Sequence, residues 1–181
     1  MNLTYVIEKF LYEHDGNNRY VFGTFGDRPL ICLGLNPSDA NPKYSDSTFR
    51  NVSKIAFLYS YDSVIMLNIF LSLLTTGISE IDSKILDKNL KTIEKVISAF
   101  EKKNNKVDIL CAWGSGVKRK NFSEYFKKLW EILDKYNIKY FKIAGDEKHP
   151  RKPNRIKIEK VLTEFVLQTY LNDNFYLGNK N

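Results

Sequence analysis

Three side chains that can exchange hydrogen bonds with a ligand follow closely after apolar runs of the sequence. Asn36 and Asn68 each end such a run, and His149 follows a third run after a short polar loop. A carboxamide offers a donor and an acceptor side by side, and an imidazole gains or loses a proton near neutral pH. Ligands of open parallel sheets bind beyond the carboxyl ends of the strands. The three residues therefore predict a polar ligand site at one sheet edge. The alternative is a plain strand end for Asn36 and Asn68, and an exposed loop residue for His149.

The segments that would position these residues alternate between strand-like and helix-like patterns. Short apolar runs predict four strands at residues 30–36, 63–68, 107–112 and 140–144, and apolar stripes at helical spacing predict helices between them. Strands separated by helices pair in parallel through right-handed crossovers. We therefore predict an α/β fold with three layers, α/β/α, around a central four-stranded, mainly parallel sheet. Residues 1–181 are expected to form one domain.

The two ends of the chain carry different signals. Segments 5–12 and 19–22, joined by the turn residues 15–18, predict an N-terminal β-hairpin, with a helix as the alternative for the first segment. A last helix is predicted from about residue 154, followed by a polar tail at about 172–181. The apolar face of that helix would consist of Ile158, Val161, Leu162, Phe165 and Val166.

Composition indicates a globular cytoplasmic protein that uses no cofactor. Hydrophobic residues make up 43% of the chain, no run of about eighteen apolar residues occurs, and the N-terminus lacks the features of a signal peptide. Cys32 and Cys111 lie in strand-like runs, which predicts reduced core thiols. Only His14 and His149 are available as histidine ligands, so no metal site is expected. Spaced-glycine phosphate loops are absent, which disfavours nucleoside triphosphate chemistry.

Positive charge is concentrated in the last third of the chain. The net charge is +7, and residues 118–160 contain 14 Lys and Arg against 6 Asp and Glu. A basic face favours an anionic partner, for which nucleic acid is the usual candidate; a lysine-rich genome is the alternative explanation. The candidate DNA contacts are Lys118, Arg119, Lys120, Arg151, Lys152 and Arg50. Arg50 is also spaced for a local ion pair with Asp46.

Four short motifs follow one another along the chain: Gly34-Leu35-Asn36-Pro37, Met66-Leu67-Asn68, Ala112-Trp113-Gly114 and His149-Pro150. Taken in order, they resemble the signature segments of the uracil-DNA glycosylase superfamily, and the first is most similar to the mismatch-specific branch. The chain also looks like a bacterial and phage family of unknown function, with an Asn-Pro-Ser motif at residues 36–38 and further marks at residues 46–50 and 113–114.

The resemblance implies a role for each motif. Asn36 would position the attacking water, Asn68 would read the edge of a flipped base, and His149 would hold the departing base. Gly34 and Ser38 would belong to the base pocket. A core role is the alternative for Trp113, and it is the more usual role for a tryptophan.

Two roles around this pocket stay open on the sequence. An aromatic residue after Pro37 would stack on the base, either Tyr44 or Phe49, and Tyr44 is preferred because it is not committed to a helix face. Asp46 is the one nearby carboxylate that could activate water; its alternative role is the N-cap of the following helix.

Departures from the superfamily pattern refine the expected activity. Arg151-Lys152-Pro153 stands where a small residue and an apolar wedge are usual, and no lysine matches a Schiff-base position. We therefore expect a monomeric, monofunctional DNA glycosylase that uses water to remove a damaged or modified base from single- or double-stranded DNA. The resemblance to a bacterial and phage family implies defence against phage DNA with modified bases as the biological setting. The alternatives are a hydrolase of nucleosides or nucleotides and a non-catalytic nucleic-acid-binding module.

Overall fold

The computed structural model describes residues 10–15, 18–37, 45–71, 83–115, 123–145, 148–155 and 162–175. These residues form a mixed α/β structure with one seven-stranded sheet and four α-helices. The strands are β1 (Phe10–Asp15), β2 (Asn18–Thr24), β3 (Pro29–Gly34), β4 (Ser63–Asn68), β5 (Val107–Ala112), β6 (Ile138–Ile143) and β7 (Leu162–Glu164). The helices are α1 (Ser47–Leu58), α2 (Ser83–Asn104), α3 (Ser123–Leu133) and α4 (Leu167–Phe175), with a short 3₁₀ turn at Pro153–Arg155.

The four strands expected from the apolar runs are confirmed as the parallel centre of this sheet. The strand order is β1-β2-β4-β3-β5-β6-β7, and the pairs β4/β3, β3/β5 and β5/β6 are all parallel. Strands covered on both faces need apolar side chains at successive positions, which explains why β3 and β4 read as nearly unbroken apolar runs.

The prediction of a four-stranded sheet is wrong, because antiparallel strands extend the parallel centre on both sides. On one side β2 pairs with β4, so the N-terminal hairpin joins the main sheet. On the other side β7 pairs with β6. An uncovered edge strand leaves its peptide N–H and C=O groups without partners in the sheet, and these additional strands supply partners for β4 and β6.

The N-terminal hairpin is confirmed, with shifted boundaries. β1 and β2 are antiparallel from Phe10↔Thr24 to Asp15↔Asn18, with an irregularity at Glu13/His14. The alternative helix does not form over residues 10–15. Residues 1–9 and the turn residues 16–17 lie outside the described residues.

The prediction of one long C-terminal helix from about residue 154 is wrong over residues 162–166. Leu162 to Glu164 form β7, and the N–H of Phe165 donates to the carbonyl of Tyr140 at 2.9 Å, which extends the contact with β6. Val166, expected on the apolar face, is 67% exposed. The helix begins only at Leu167 and continues to Phe175, into the segment expected to be a polar tail.

Two hydrophobic clusters lie on opposite faces of the sheet. On the first face, alternate strand residues such as Cys32 and Met66 pack against α1. On the second, their sequence neighbours such as Leu33 and Leu67 pack against α2, α3 and α4. This alternation follows from the two-residue repeat of a strand and gives the expected three layers.

The two cysteines are buried and neither forms a disulfide, as predicted. Cys32 belongs to the cluster on the α1 face and Cys111 to the cluster on the opposite face. Burial raises the pKa of the Cys32 thiol to about 12 and raises the pKa of Cys111 as well. Both thiols therefore stay protonated at neutral pH, which suits a packing role.

Candidate functional site

The carboxyl ends of β3 and β5 mark the point where the strand order of the parallel centre reverses. From β3 the chain passes to β4 on one side, and later continues from β5 to β6 on the other side. Gly34, the last residue of β3, is in register with Asn68 of β4 and with Ala112 of β5. Crevices at such switch points are the usual ligand sites of open α/β sheets.

Asn68 places an unpaired polar group at this position. Its side chain lies on the α1 face beside Gly34, since a Cβ atom built on Gly34 would be 2.9 Å from Asn68 Oδ1. The residue is 2% exposed, and Asn68 Nδ2 has no hydrogen-bond partner among the described residues. A buried amide nitrogen without a partner is energetically costly, which makes Asn68 a candidate contact for a ligand.

Backbone hydrogen bonds hold the exit of β4 against the exit of β3. The N–H of Ile69 donates to the carbonyl of Gly34 at 2.9 Å, and the N–H of Phe70 donates to the carbonyl of Leu35 at 2.8 Å. The two strands therefore remain paired beyond their last sheet residues. Asn36, the next residue after Leu35, is half-buried at this edge.

Asn89 of α2 fixes the same exit from the second face. Its Nδ2 lies 2.9 Å from the carbonyl oxygen of Asn68, 3.1 Å from that of Ile69 and 2.9 Å from Tyr125 Oη. Asn89 is fully buried. The sequence interpretation missed it, although an Asn within the apolar stripe of a helix is a signal for a buried polar contact.

The segment that carries His149 crosses the carboxyl edge from one face of the sheet to the other. On the second face, His149 Nδ1 lies 2.7 Å from Tyr170 Oη of α4. In the middle, the N–H of Gly114 after β5 donates to the carbonyl of Pro150 at 2.7 Å. On the α1 face, Asn51 Nδ2 donates to the carbonyl of Pro153 at 2.7 Å. These contacts set His149 beside the exit of β5, one strand away from Gly34.

Trp113 connects this segment to the core. It is completely buried, which agrees with its alternative role as a core residue, and its indole Nε1–H donates to Tyr170 Oη at 3.3 Å. Burial raises the pKa of Tyr170 to about 12, so its phenol stays protonated at neutral pH. Tyr170 was also missed by the sequence interpretation, because the apolar face of the helix predicted from about residue 154 to the tail at about residue 172 did not include it.

Asp46 and Phe49 are both engaged by α1. Asp46 is the N-cap, since its Oδ1 accepts from the N–H of Phe49 at 2.8 Å. Phe49 is 7% exposed and packs against Phe22, with ring centroids 4.7 Å apart. Core packing thus accounts for Phe49 without a stacked base. Tyr44 and Ser38 lie outside the described residues.

Two of the candidate DNA contacts belong to the crossing segment, and a third lies on α1. Arg151 is half-buried, and the stem of Lys152 passes over Gly114, whose added Cβ would be 3.2 Å from Lys152 Cε. Arg50 is exposed on α1, and its guanidinium donates to the carbonyl of Ser45 rather than pairing with Asp46 within the described contacts. Residues 118–120, with Lys118, Arg119 and Lys120, lie outside the described part of the chain.

In the described ranges no cluster of three or more His, Cys, Asp and Glu side chains could hold a metal ion. Nor is any helix within them long and apolar enough to span a membrane.

The architecture and this edge define a mixed α/β protein whose parallel centre carries a polar candidate site at its switch point. A family model described as a protein of unknown function (DUF1643) matches residues 19–153, well over half of the chain. The chain belongs to this family. Searches of curated proteins and of solved structures find no match. The comparisons do not link the chain to the uracil-DNA glycosylase superfamily.

Proposed function

We propose that the protein is a monofunctional DNA glycosylase that binds a flipped, modified base at the carboxyl edge of β3, β4 and β5. The observation that carries the proposal is the buried carboxamide of Asn68, whose Nδ2 has no partner among the described residues and which lies at the switch point beside Gly34. A nucleobase edge offers donors and acceptors in the geometry that a side-chain amide recognises. The other sequence motifs supply the remaining reacting groups, which are Asn36 and His149.

The proposed reaction is hydrolysis of the N-glycosidic bond. Asn36 orients a water whose oxygen bonds to the sugar carbon, while the base leaves with the electron pair of the broken bond. The base takes up the proton that the attacking water loses, so the products are the sugar hydroxyl and the neutral base. His149 donates a hydrogen bond to the departing base. One donor aimed at developing charge is worth about 3 kcal/mol, or on the order of 10²-fold in rate. An amide cannot accept the proton of the water, so slow turnover is expected.

The cations near the crossing segment support a polyanionic substrate. Arg151 and Lys152 follow His149 by two and three residues, and the Lys152 side chain lies over the exit of β5. Each phosphate that such a residue neutralises releases counterions, which makes binding weaker as salt rises. Removal of hypermodified bases from invading phage DNA is the biological setting that we favour.

The direct test is to incubate the protein with single- and double-stranded DNAs that carry different modified bases. Release of a free base, seen by mass spectrometry, together with alkali-labile sites is the expected result. Asn36→Ala and Asn68→Ala should each reduce release strongly. Asn137→Ala is the matched control, because Asn137 is exposed at the opposite edge, where its Nδ2 donates to the carbonyl of Asn105 at 2.8 Å. Strand breaks that precede alkali treatment would contradict a water-using, monofunctional mechanism.

Reversing the charges of Arg151 and Lys152 would show whether the substrate is DNA or a small molecule. The double variant Arg151→Glu/Lys152→Glu should weaken DNA binding and make its salt dependence shallower. The control is Lys95→Glu on the exposed face of α2, which should change the DNA affinity and its salt dependence less. If only free nucleosides are cleaved, at a rate that this reversal leaves unchanged, the protein is a small-molecule hydrolase. If DNA binds but no base is released from any substrate, it is a non-catalytic binding module.

A further inference from the structure

We propose that Tyr170 is a positioning residue that sets the tautomer and the orientation of His149. Tyr170 lies on α4, outside the residues matched by the family model and outside every motif discussed above. The inference rests on the proposed function for its catalytic consequence. The claim that Tyr170 sets the tautomer and the orientation of His149 does not depend on that function.

The geometry is a chain of three side chains that runs from the core to the candidate site. Trp113 Nε1 lies 3.3 Å from Tyr170 Oη, and Tyr170 Oη lies 2.7 Å from His149 Nδ1. The rings of His149 and Tyr170 meet edge-on, with an interplanar angle of 87° and centroids 5.7 Å apart. Trp113 and Tyr170 are 0% and 5% exposed, so packing holds both donors in place.

The donor inventory fixes the direction of one of the two hydrogen bonds in this chain. An indole N–H only donates, so the Tyr170 oxygen accepts from Trp113. The phenol keeps its proton at neutral pH because burial raises its pKa to about 12. We assign that proton to the contact with Nδ1, 2.7 Å away, so that Nδ1 accepts and a neutral imidazole carries its own proton on Nε2.

The consequence for catalysis is an Nε2–H donor that is oriented before the base arrives. A hydrogen bond on one ring nitrogen fixes which nitrogen keeps the proton, and it also fixes the plane of the ring. Tyr170→Phe keeps the aromatic ring that packs against Trp113 and Phe165, but it removes the donor. We expect kcat for base release to fall about tenfold, the effect of one neutral hydrogen bond, with little change in KM.

The sharpest test uses the small number of histidines in the chain. With His14→Gln as the background, His149 is the only imidazole, so nitrogen-15 spectra of histidine-labelled protein report this ring alone. At about pH 8 an ordinary imidazole is neutral, and we expect an unprotonated Nδ1 and a protonated Nε2. In Tyr170→Phe the two tautomers should become mixed. Tyr136→Phe is the matched control, since it removes a hydroxyl that donates to Glu94 Oε1 at 3.3 Å, away from His149.

The outcomes separate this inference from the proposed function. A tautomer change in Tyr170→Phe, together with the loss of kcat, supports both. The same spectral change in a protein that releases no base from any DNA overturns the proposed function and leaves the positioning role intact. An Nδ1–H tautomer in the parent protein, or Tyr170→Phe with unchanged ring signals and unchanged kcat, overturns the inference.

Discussion

Gly34 and Asn68 occupy paired positions on neighbouring parallel strands, and the Asn68 carboxamide fills the space that a side chain on residue 34 would need. The distance from an added Cβ at residue 34 to Asn68 Oδ1 would be 2.9 Å. The absence of a side chain at one position thus makes room for the polar group at the other. This relationship explains why a glycine ends β3 at the point where the candidate base pocket begins.

Gly34→Ala should impair base release more than it impairs folding. The added Cβ meets the end of a side chain, so the Asn68 amide can turn away at a cost of about 1 kcal/mol in unfolding free energy. The displaced amide should lose its alignment with a base, and we expect at least a tenfold loss of activity, on the order of one hydrogen bond. Urea unfolding and base-release assays on the same preparation would measure the two effects.

Gly23→Ala provides the contrast for that experiment. Its Cβ would lie 2.3 Å from the backbone carbonyl oxygen of Val64, which cannot rotate away. The substitution should therefore destabilise the pairing of β2 with β4 by about 2–3 kcal/mol. Gly34→Ala with full activity would show that the position of the Asn68 amide is irrelevant to base release.

Asn89→Ala should destabilise the protein by about 3 kcal/mol, because two buried carbonyl groups lose their side-chain donor. The exit of β4 would lose its support from α2, and base release should fall in the folded fraction. Chemical denaturation gives the free energy of unfolding. Asn104→Ala is the control, since its exposed amide donates to the carbonyl of Asp27 at 2.9 Å and its loss should cost under about 1 kcal/mol. Equal costs for the two variants would refute the special role of Asn89.

Asp46→Asn separates helix capping from catalysis. Asn caps a helix about as well as Asp, so stability should be retained, whereas Asp46→Ala should cost about 1 kcal/mol. If the Asp46 carboxylate acted as general base, Asp46→Asn would lower the rate by about 10²-fold or more. We expect near-normal activity, because the cap bond already engages Oδ1. Thermal unfolding and initial rates of the two variants would show whether Asp46 acts as a helix cap or as a general base.

Asp15 should make the stability of the N-terminal hairpin sensitive to acid. Hydrogen bonds from Lys88, Tyr20 and Asn18 lower the pKa of its carboxyl group from 3.8 to about 2. The charged form is therefore favoured by folding, and its contribution is present above about pH 4 and lost as the pH falls towards about 2. The side chain is 46% exposed, so this contribution should stay below about 1 kcal/mol.

Asp15→Asn should remove that part of the pH dependence. Urea titrations between about pH 2 and pH 5 give the free energy of unfolding at each pH, and its fall at acid pH should be less steep in the variant. Asp173→Asn, on the exposed surface of α4, is the control for the loss of a carboxylate. An acid limb that is unchanged in Asp15→Asn would show that the ion pair with Lys88 does not survive in solution.

Local patterns were sufficient for the centre of the fold and for part of the site. The runs at β3 and β4 predicted buried strands, and their polar ends placed Gly34 and Asn68 at a common edge, as observed. The interpretation was wrong at residues 162–164, where the spacing of apolar residues fits a helix. These residues form a strand instead, because they pair with the edge of β6 that would otherwise be unpaired. The role of Phe49 as a core residue likewise depended on the hairpin that packs onto it.

Neighbouring residues along the chain were enough to predict the four parallel strands, the buried cysteines and the polar residues at the strand ends, because hydrophobic periodicity and Asn or Pro stops act over a few residues. Three features became evident only from the folded chain: the sheet has seven strands, Asn89 supports the exit of β4, and Tyr170 contacts His149. Those features depend on contacts between segments far apart in the chain. Polar groups that become buried on folding need hydrogen-bond partners, and here those partners come from distant parts of the sequence. A local sequence pattern does not show which distant segment will supply the partner.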